Sequence, residues 1–240
     1  MDRGLYIAAS GMLAELTRQD QIANDLANAS TPGYKPDNSS QESFGTLLLQ
    51  NSATGATIGT IGEGARIDAT TVDMAPAALT QTGQPLDLGL DGQGFFAVQA
   101  PGGTRYTRDG QFGVSGSGQL QTATGYLVLD NANHPIQVGS ADGLKISTDG
   151  TVSRNDKTIA TLGVVSLTNP IKQGDTLFAG TAGSRPVGTA VRQGYLEGSG
   201  INATTAMVAM MTSLRTYQSD QQAVQAIDET LKEGIQAGGA

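Results

Sequence analysis

With 240 residues, 33 of them glycine, and charged side chains at only 15% of the chain, the protein can bury a sizeable core but is poorer in charge than soluble domains, which average about 25%. A formal net charge of −8 without clusters of Lys and Arg speaks against a phosphate-binding surface, so no nucleic-acid partner is expected. The absence of cysteine excludes disulfides, thiolate nucleophiles and Cys-bound zinc.

In chain order, the start Met1-Asp2-Arg3-Gly4-Leu5 has neither a basic n-region nor a compact apolar h-region, so no cleaved signal peptide is expected. From about Arg3 to about Asn28, Leu5, Ala9, Met12, Leu16, Gln19, Ala23 and Leu26 step by alternating fours and threes. That is the seam spacing of helices that pack lengthwise, and it predicts a helix of roughly 37 Å at 1.5 Å per residue. Ser30-Thr31-Pro32-Gly33 ends it, because Pro cannot continue the ladder and Gly supplies a left-handed exit. A polar stretch, 35–43, and a short apolar run, 44–49, follow. From Asn51 to Ala65 the composition falls to Gly, Thr, Ala, Ser and Ile, which reads as an extended or mobile linker.

From about Ile67 the period becomes two. Leu86, Leu88 and Leu90 alternate with Asp87 and Gly89, a half-buried strand pattern. Further strands are predicted at 95–98, 105–107, 112–114, 126–129, 144–146, 158–165 and 191–196. Between them lie Asp91-Gly92, Asp109-Gly110, Asp142-Gly143 and Asp149-Gly150, dipeptides suited to the positive φ of tight hairpins. Short strands at this spacing indicate an antiparallel sandwich or barrel. A second helix then carries Met207, Met210, Leu214, Tyr217, Gln221, Val224, Asp228 and Leu231 in steps of threes and fours. The expected fold class is α+β: long N- and C-terminal helices packed as a coiled-coil-like pair, with a central all-β antiparallel domain. Residues 1–30 and 200–240 form the helical part, 31–84 a partly extended connection and 85–199 the β domain. No run reaches the roughly 18–20 apolar residues of a membrane span.

Chemistry is sparse. The single histidine, His134, lies in Asp130-Asn131-Ala132-Asn133-His134-Pro135, a turn by composition, so no His/Cys metal set or Ser-His-Asp triad can be drawn. Gly92-Gln93-Gly94-Phe95-Phe96-Ala97 matches a dinucleotide fingerprint, but its glycines lead into a strand instead of a helix N-terminus. The Asp residues before turn glycines form no EF-hand loop. No catalytic residue, cofactor or metal is expected. The residues predicted to matter are an assembly interface: Leu5, Ala9, Met12, Leu16, Ala23, Asn24, Leu26 and Asn28 on the first helix, and Met207, Met210, Leu214, Tyr217, Val224 and Leu231 on the second. Asn24 and Asn28, four apart, either set register as buried polar residues do in coiled coils or cap and solvate the helix end. Both stripes are rich in Ala, Met and Gln, so each gains little from one neighbour and more from several.

Three groups of segments together resemble the flagellar axial family, the bacterial rod and hook proteins. At the front are 4–12, 22–28 and Thr31-Pro32-Gly33-Tyr34-Lys35. In the middle are 86–96 and Tyr106-Thr107-Arg108-Asp109-Gly110-Gln111-Phe112, and at the back are 193–202, Arg215-Thr216-Tyr217 and 226–231. Asp25 stands where the family usually has a second Asn, Pro32 and Tyr34 alter the usual Thr-x-Gly-Phe-Lys, and Gly200 replaces an Asn. The central domain and modest length are similar to the longer rod proteins, the proximal kind ahead of the distal. The resemblance implies a non-enzymatic structural subunit of the basal-body rod that assembles helically with itself and other rod proteins. It also implies export through the flagellar type III apparatus into the periplasm without a cleaved signal. The other reading of these residues is a β-sandwich binding or adhesion module with helical termini.

Overall fold

The computed structural model describes residues 2–43, 46–50, 57–62, 65–174 and 176–238. Among them are two helices, α1 (Asp2–Ala27) and α2 (Ala203–Gly238), with only strands between. The chain divides into two compact units. The first gathers the two helices with the strands between Asp37 and Thr71; the second holds 28–36 and 72–202.

In the first unit the helices run antiparallel. Gly4 lies against Ile227, Gly11 against Asp220, and Glu15 against Ser213, so advancing along α1 retreats along α2. Asp37–Ser43 pairs with Ala65–Val72, and Thr46–Gln50 pairs antiparallel with Thr57–Gly62. The stretch expected as a linker over 51–65 thus contributes the paired strand Thr57–Gly62, where the β-branched Thr57, Ile58, Thr60 and Ile61 favour extended backbone despite the glycines. The remainder of that expectation, at 51–56 and 63–64, lies outside the described residues, as do positions 44 and 45 of the apolar run.

The second unit is built on an eight-stranded antiparallel sheet. Its order is Leu167–Lys172, Leu177–Ala182, Gly103–Thr107, Phe95–Ala100, Leu127–Val128, Leu120–Thr122 and Phe112–Val114, with Val164–Val165 also pairing on Phe95–Ala100. A three-stranded sheet runs Leu144–Ile146, Thr151–Arg154, Lys157–Thr161, and two strand pairs complete the unit: Leu88–Asp91 with Ala190–Gln193, and Leu79–Gln81 with Tyr195–Glu197. The period of two decides which core each side chain joins. Along the central strand, Phe96 and Val98 join the larger apolar cluster with Leu88, Leu120 and Val152, while Phe95 and Ala97 join a smaller one with Tyr106 and Phe178. A strand buried on both faces explains the unbroken apolar run Phe95-Phe96-Ala97-Val98.

Two of the expected strands are each divided. The run expected at 158–165 becomes Lys157–Thr161 and Val164–Val165, in different sheets. The run at 191–196 breaks at Gly194 into Ala190–Gln193 and Tyr195–Glu197, which pair with different partners. Three of the four Asp-Gly glycines have the positive φ their turns require, whereas Gly110 answers to close approach. A Cβ there would stand 1.7 Å from the Leu88 carbonyl oxygen, while the Gly110 carbonyl accepts the Leu88 N–H at 3.0 Å. One two-residue hairpin carries no Asp-Gly or Asn-Gly dipeptide. Arg154 and Lys157 are paired across Asn155-Asp156, both at positive φ (49° and 60°), as a type I′ turn demands.

Candidate functional site: the helix pair and a buried ion cluster

On α2, Met210, Tyr217, Val224 and Leu231, seven residues apart, are half-buried, as expected of one seam line. The other line of the predicted seam is shifted. Met207 and Leu214 are exposed, and the line facing α1 beside the first is Ala206, Ser213, Asp220 and Ile227. Small and polar residues therefore take the inner line, which a search for apolar periodicity passes over. On α1, Leu5, Ala9, Met12 and Leu26 are half-buried, while Leu16, Ala23 and Asn24 are exposed. The buried positions of α1 include Ala14, Glu15 and Asp25. Asn28 lies beyond the end of α1; its side-chain oxygen accepts the Thr31 hydroxyl at 3.0 Å, and its carbonyl accepts the Thr31 N–H.

Pairing leaves a second apolar surface on each helix. Tyr6 and Leu13 of α1 are 59% and 66% exposed, and Met207 and Met211 of α2 are 49% and 56% exposed. Each helix thus buries one apolar stripe in the pair and presents another to its surroundings.

The second unit contains a constellation that composition alone did not reveal. Tyr34 and Lys35, in the segment after α1, are fully buried. The Lys35 ammonium donates to Glu197 Oε1 at 2.6 Å and to the Ala75 carbonyl at 2.7 Å. Arg108 donates from Nη1 to Glu197 Oε2 at 2.8 Å and from Nη2 to the Gly92 carbonyl at 2.8 Å. The Ala77 N–H completes the shell of Glu197 at 2.9 Å. The Arg108 guanidinium stacks 5.3 Å from the Phe95 ring centre, and the Lys172 ammonium sits 4.1 Å from that of Tyr34. Burial pulls Lys35 below its ordinary pKa of 10.5, opposed by the hydrogen bond and charge of Glu197. Nearby, burial raises the Asp109 carboxyl above its ordinary 3.8, opposed by the Gln111 N–H and reinforced by Asp87.

The backbone around this cluster is stitched as tightly. Gly33 N–H donates to the Glu197 carbonyl at 2.9 Å, and Gly200 N–H to the Tyr34 carbonyl at 2.9 Å. Gly33 has φ of +67°, and a Cβ there would lie 2.3 Å from the Arg108 carbonyl carbon, so glycine is required twice over. The segment that follows α1 and the segment that precedes α2 are thereby locked together through Glu197 and Arg108. Among the described residues there is no group of three or more metal-ligating side chains, and no helix long and apolar enough to cross a membrane.

Lys35, Arg108 and Glu197 fall one apiece in three regions matched by known families. The Flagella basal body rod protein family matches residues 5–35, the Flagellar hook protein FlgE/F/G D1 domain residues 89–154, and the Flagellar basal body rod FlgEFG protein C-terminal residues 192–237. Whole-chain relatives agree. Flagellar basal-body rod protein FlgG of Bacillus subtilis is 33% identical over 97% of this chain and 98% of its own. FlgG of Agrobacterium fabrum is 32% identical over 95% and 96%, and FlgF of Mesorhizobium japonicum 28% over 97% and 98%. With its terminal helix pair, its central antiparallel sheets and relatives matched almost end to end, the chain belongs to the flagellar basal-body rod protein family.

Proposed function

We propose that this chain is a structural, non-enzymatic subunit of the bacterial flagellar basal-body rod. In this reading it assembles helically with further copies and with other rod proteins into the shaft needed for motility. The observation that carries the assembly reading is the second apolar stripe, Tyr6 and Leu13 on α1 with Met207, Met211 and Leu214 on α2, left over after the two helices have paired. Such residues gain most of their burial only when neighbouring helices arrive, at about 25 cal/mol per Å² of apolar surface covered. The interface is therefore divided. Leu5, Ala9, Met12, Leu26, Met210, Tyr217, Val224 and Leu231 serve first within the subunit, and Leu16, Met207 and Leu214 serve between subunits. Asn24 and Asn28 keep the two roles considered above, with the Thr31 contact favouring a turn-closing role for Asn28. A freestanding adhesion module would leave the whole-chain family match unexplained.

The same reading puts the subunit in the periplasmic part of the basal body, delivered by the flagellar export apparatus without a cleaved signal. One support is the lack of cysteine, which keeps an unfolded chain free of cross-links. The test is to delete the gene, restore it with an epitope-tagged copy, and inspect isolated basal bodies by electron microscopy with gold-labelled antibody. Truncated rods without the chain and label on the rod with it are expected. Complete rods and normal swimming in the deletion strain would refute the assignment.

A further inference from the structure

The inner line of the helix seam contains one contact that the burial of apolar groups does not explain. Glu15 is 5% exposed and Ser213 2% exposed, which makes them two of the most buried side chains in the helix pair, and both are polar. The Ser213 hydroxyl donates to Glu15 Oε2 and lies 3.4 Å from the Glu15 carbonyl oxygen, while the Arg18 guanidinium stands 4.0 Å from Oε1. Two apolar residues of similar volume would hold the helices together at least as well, since burying a carboxylate carries a desolvation cost that one hydroxyl and a half-exposed arginine barely offset. What a buried polar pair supplies in a helix seam is discrimination between registers.

We infer that Glu15 and Ser213 set the register of α1 on α2. The alternatives can be read off the heptad. Sliding α2 by seven residues keeps a seam line against α1, but brings either Ala206 or Asp220 opposite Glu15 in place of Ser213. Ala206 offers no donor and leaves the carboxylate buried without its hydroxyl partner. Asp220 sets two carboxylates face to face. Each slipped register is thus penalised by a different mechanism, unpaired burial in one direction and like-charge repulsion in the other. The native register also lets Asp220 sit over Gly11, where an added Cβ would come within 3.0 Å of its carboxylate. The remaining seam residues, rich in Ala and Met, recur at the same spacing one heptad away and so discriminate weakly; the backbone bonds of Gly33 to Glu197 and of Gly200 to Tyr34 restrain the helix ends beside them.

The absence of cysteine makes the register directly measurable. Asp20 and Glu229 are exposed on α1 and α2, and Asp20→Cys with Glu229→Cys gives two sites for spin labels in the purified full-length chain. A one-heptad slide changes their separation by about 10 Å at 1.5 Å per residue, well within the resolution of pulsed electron–electron dipolar spectroscopy. The labelled chain should give one distance peak. Adding Glu15→Leu with Ser213→Ala, which keeps the seam apolar and paired, should raise the population of a second peak displaced by about 10 Å at least tenfold. Exchanging the pair, Glu15→Ser with Ser213→Glu, restores donor and acceptor and should return the single peak. A single unshifted peak in the Leu/Ala variant, with helix content unchanged by circular dichroism, would overturn the inference. So would a failure of the exchanged pair to restore it. Both readouts concern the isolated chain, so they stand or fall independently of its place in the rod.

Discussion

Glu197 holds two cations at once: Lys35 and Arg108 are buried against its one carboxylate, with the charge of Asp73 acting on Lys35 from farther off. Removing that carboxylate charge leaves two buried cations unpaired, so Glu197→Gln should destabilise the second unit by about 3–5 kcal/mol. Lys35→Met leaves the one-to-one pair of Arg108 with Glu197 and should cost clearly less. Urea unfolding midpoints of the two variants check the order; equal or reversed costs would mean that charge balance does not govern the cluster. Asp109 gives a pH-dependent counterpart. Its folded-state pKa is raised by burial, so between 3.8 and that raised value the folded chain holds a proton the unfolded chain has lost. Stability from this residue therefore falls as pH rises through that window and stays low above it. Asp109→Asn keeps an oxygen for the Gln111 N–H and removes the charge. It should be more stable than the parent at about pH 7, with the advantage gone by about pH 3. An advantage that persists in acid would point to packing as its origin.

At the scale of elements, Gly110 and the α1–α2 pair give the sharpest expectations. The Gly110 backbone lies so close to Leu88 that no side chain fits, and Gly110→Ala should cost roughly 3 kcal/mol or more, read as a lowered melting temperature. In the helix pair, position decides the outcome of the same chemical change. Val224 is half-buried in the seam and Leu214 is 45% exposed outside it. Val224→Lys should therefore separate the helices of the isolated chain, lowering its helical circular dichroism, whereas Leu214→Lys should leave that signal unchanged. The period of both helices was legible in their sequences, because apolar residues recur every three to four positions. Which line of α2 faces α1 was not, because its inner line is made of Ala206, Ser213, Asp220 and Ile227, only one of them strongly apolar. The strand pairing of Thr57–Gly62 was hidden for a similar reason: glycine-rich composition hides backbone hydrogen bonds that need no side chain.

Across the whole molecule, the family assignment turns the exposed stripes into an expectation about cells. A chain with Leu214→Lys, folded and paired by the criterion above, should still fail to complete rods, since a lysine placed between packed helices must be desolvated without a partner. Basal bodies counted by electron microscopy, with the variant as the sole copy, check this. Normal numbers would mean that the outer stripe is not where subunits meet. The buried cluster belongs to this scale as well, because it ties together the segment leaving α1 and the segment entering α2. Rod counts in a Lys35→Met strain, compared with that variant's own stability, would separate an assembly role for the junction from a purely structural one.

The sequence by itself determined the fold class and part of the elements: two terminal helices from a period near 3.6, a set of antiparallel strands from a period of two, and turns from Asp-Gly dipeptides, but not the strands Leu120–Thr122, Thr151–Arg154, Leu167–Lys172 and Leu177–Ala182. These are local properties, set by steric preference and by which face of each element is apolar. The same locality explains why Tyr34-Lys35, Arg108 and Glu197 could be quoted as parts of three separate motifs without any hint that they touch. Only the tertiary structure decided that they converge, because a buried ion pair leaves no periodic trace and its members lie 162 and 89 positions apart. The register of α1 on α2 is of the same kind. Apolar spacing repeats every heptad and so permits several alignments, and what distinguishes them is non-local: the locked junction at the helix ends and, as inferred above, the meeting of one carboxylate and one hydroxyl across the seam.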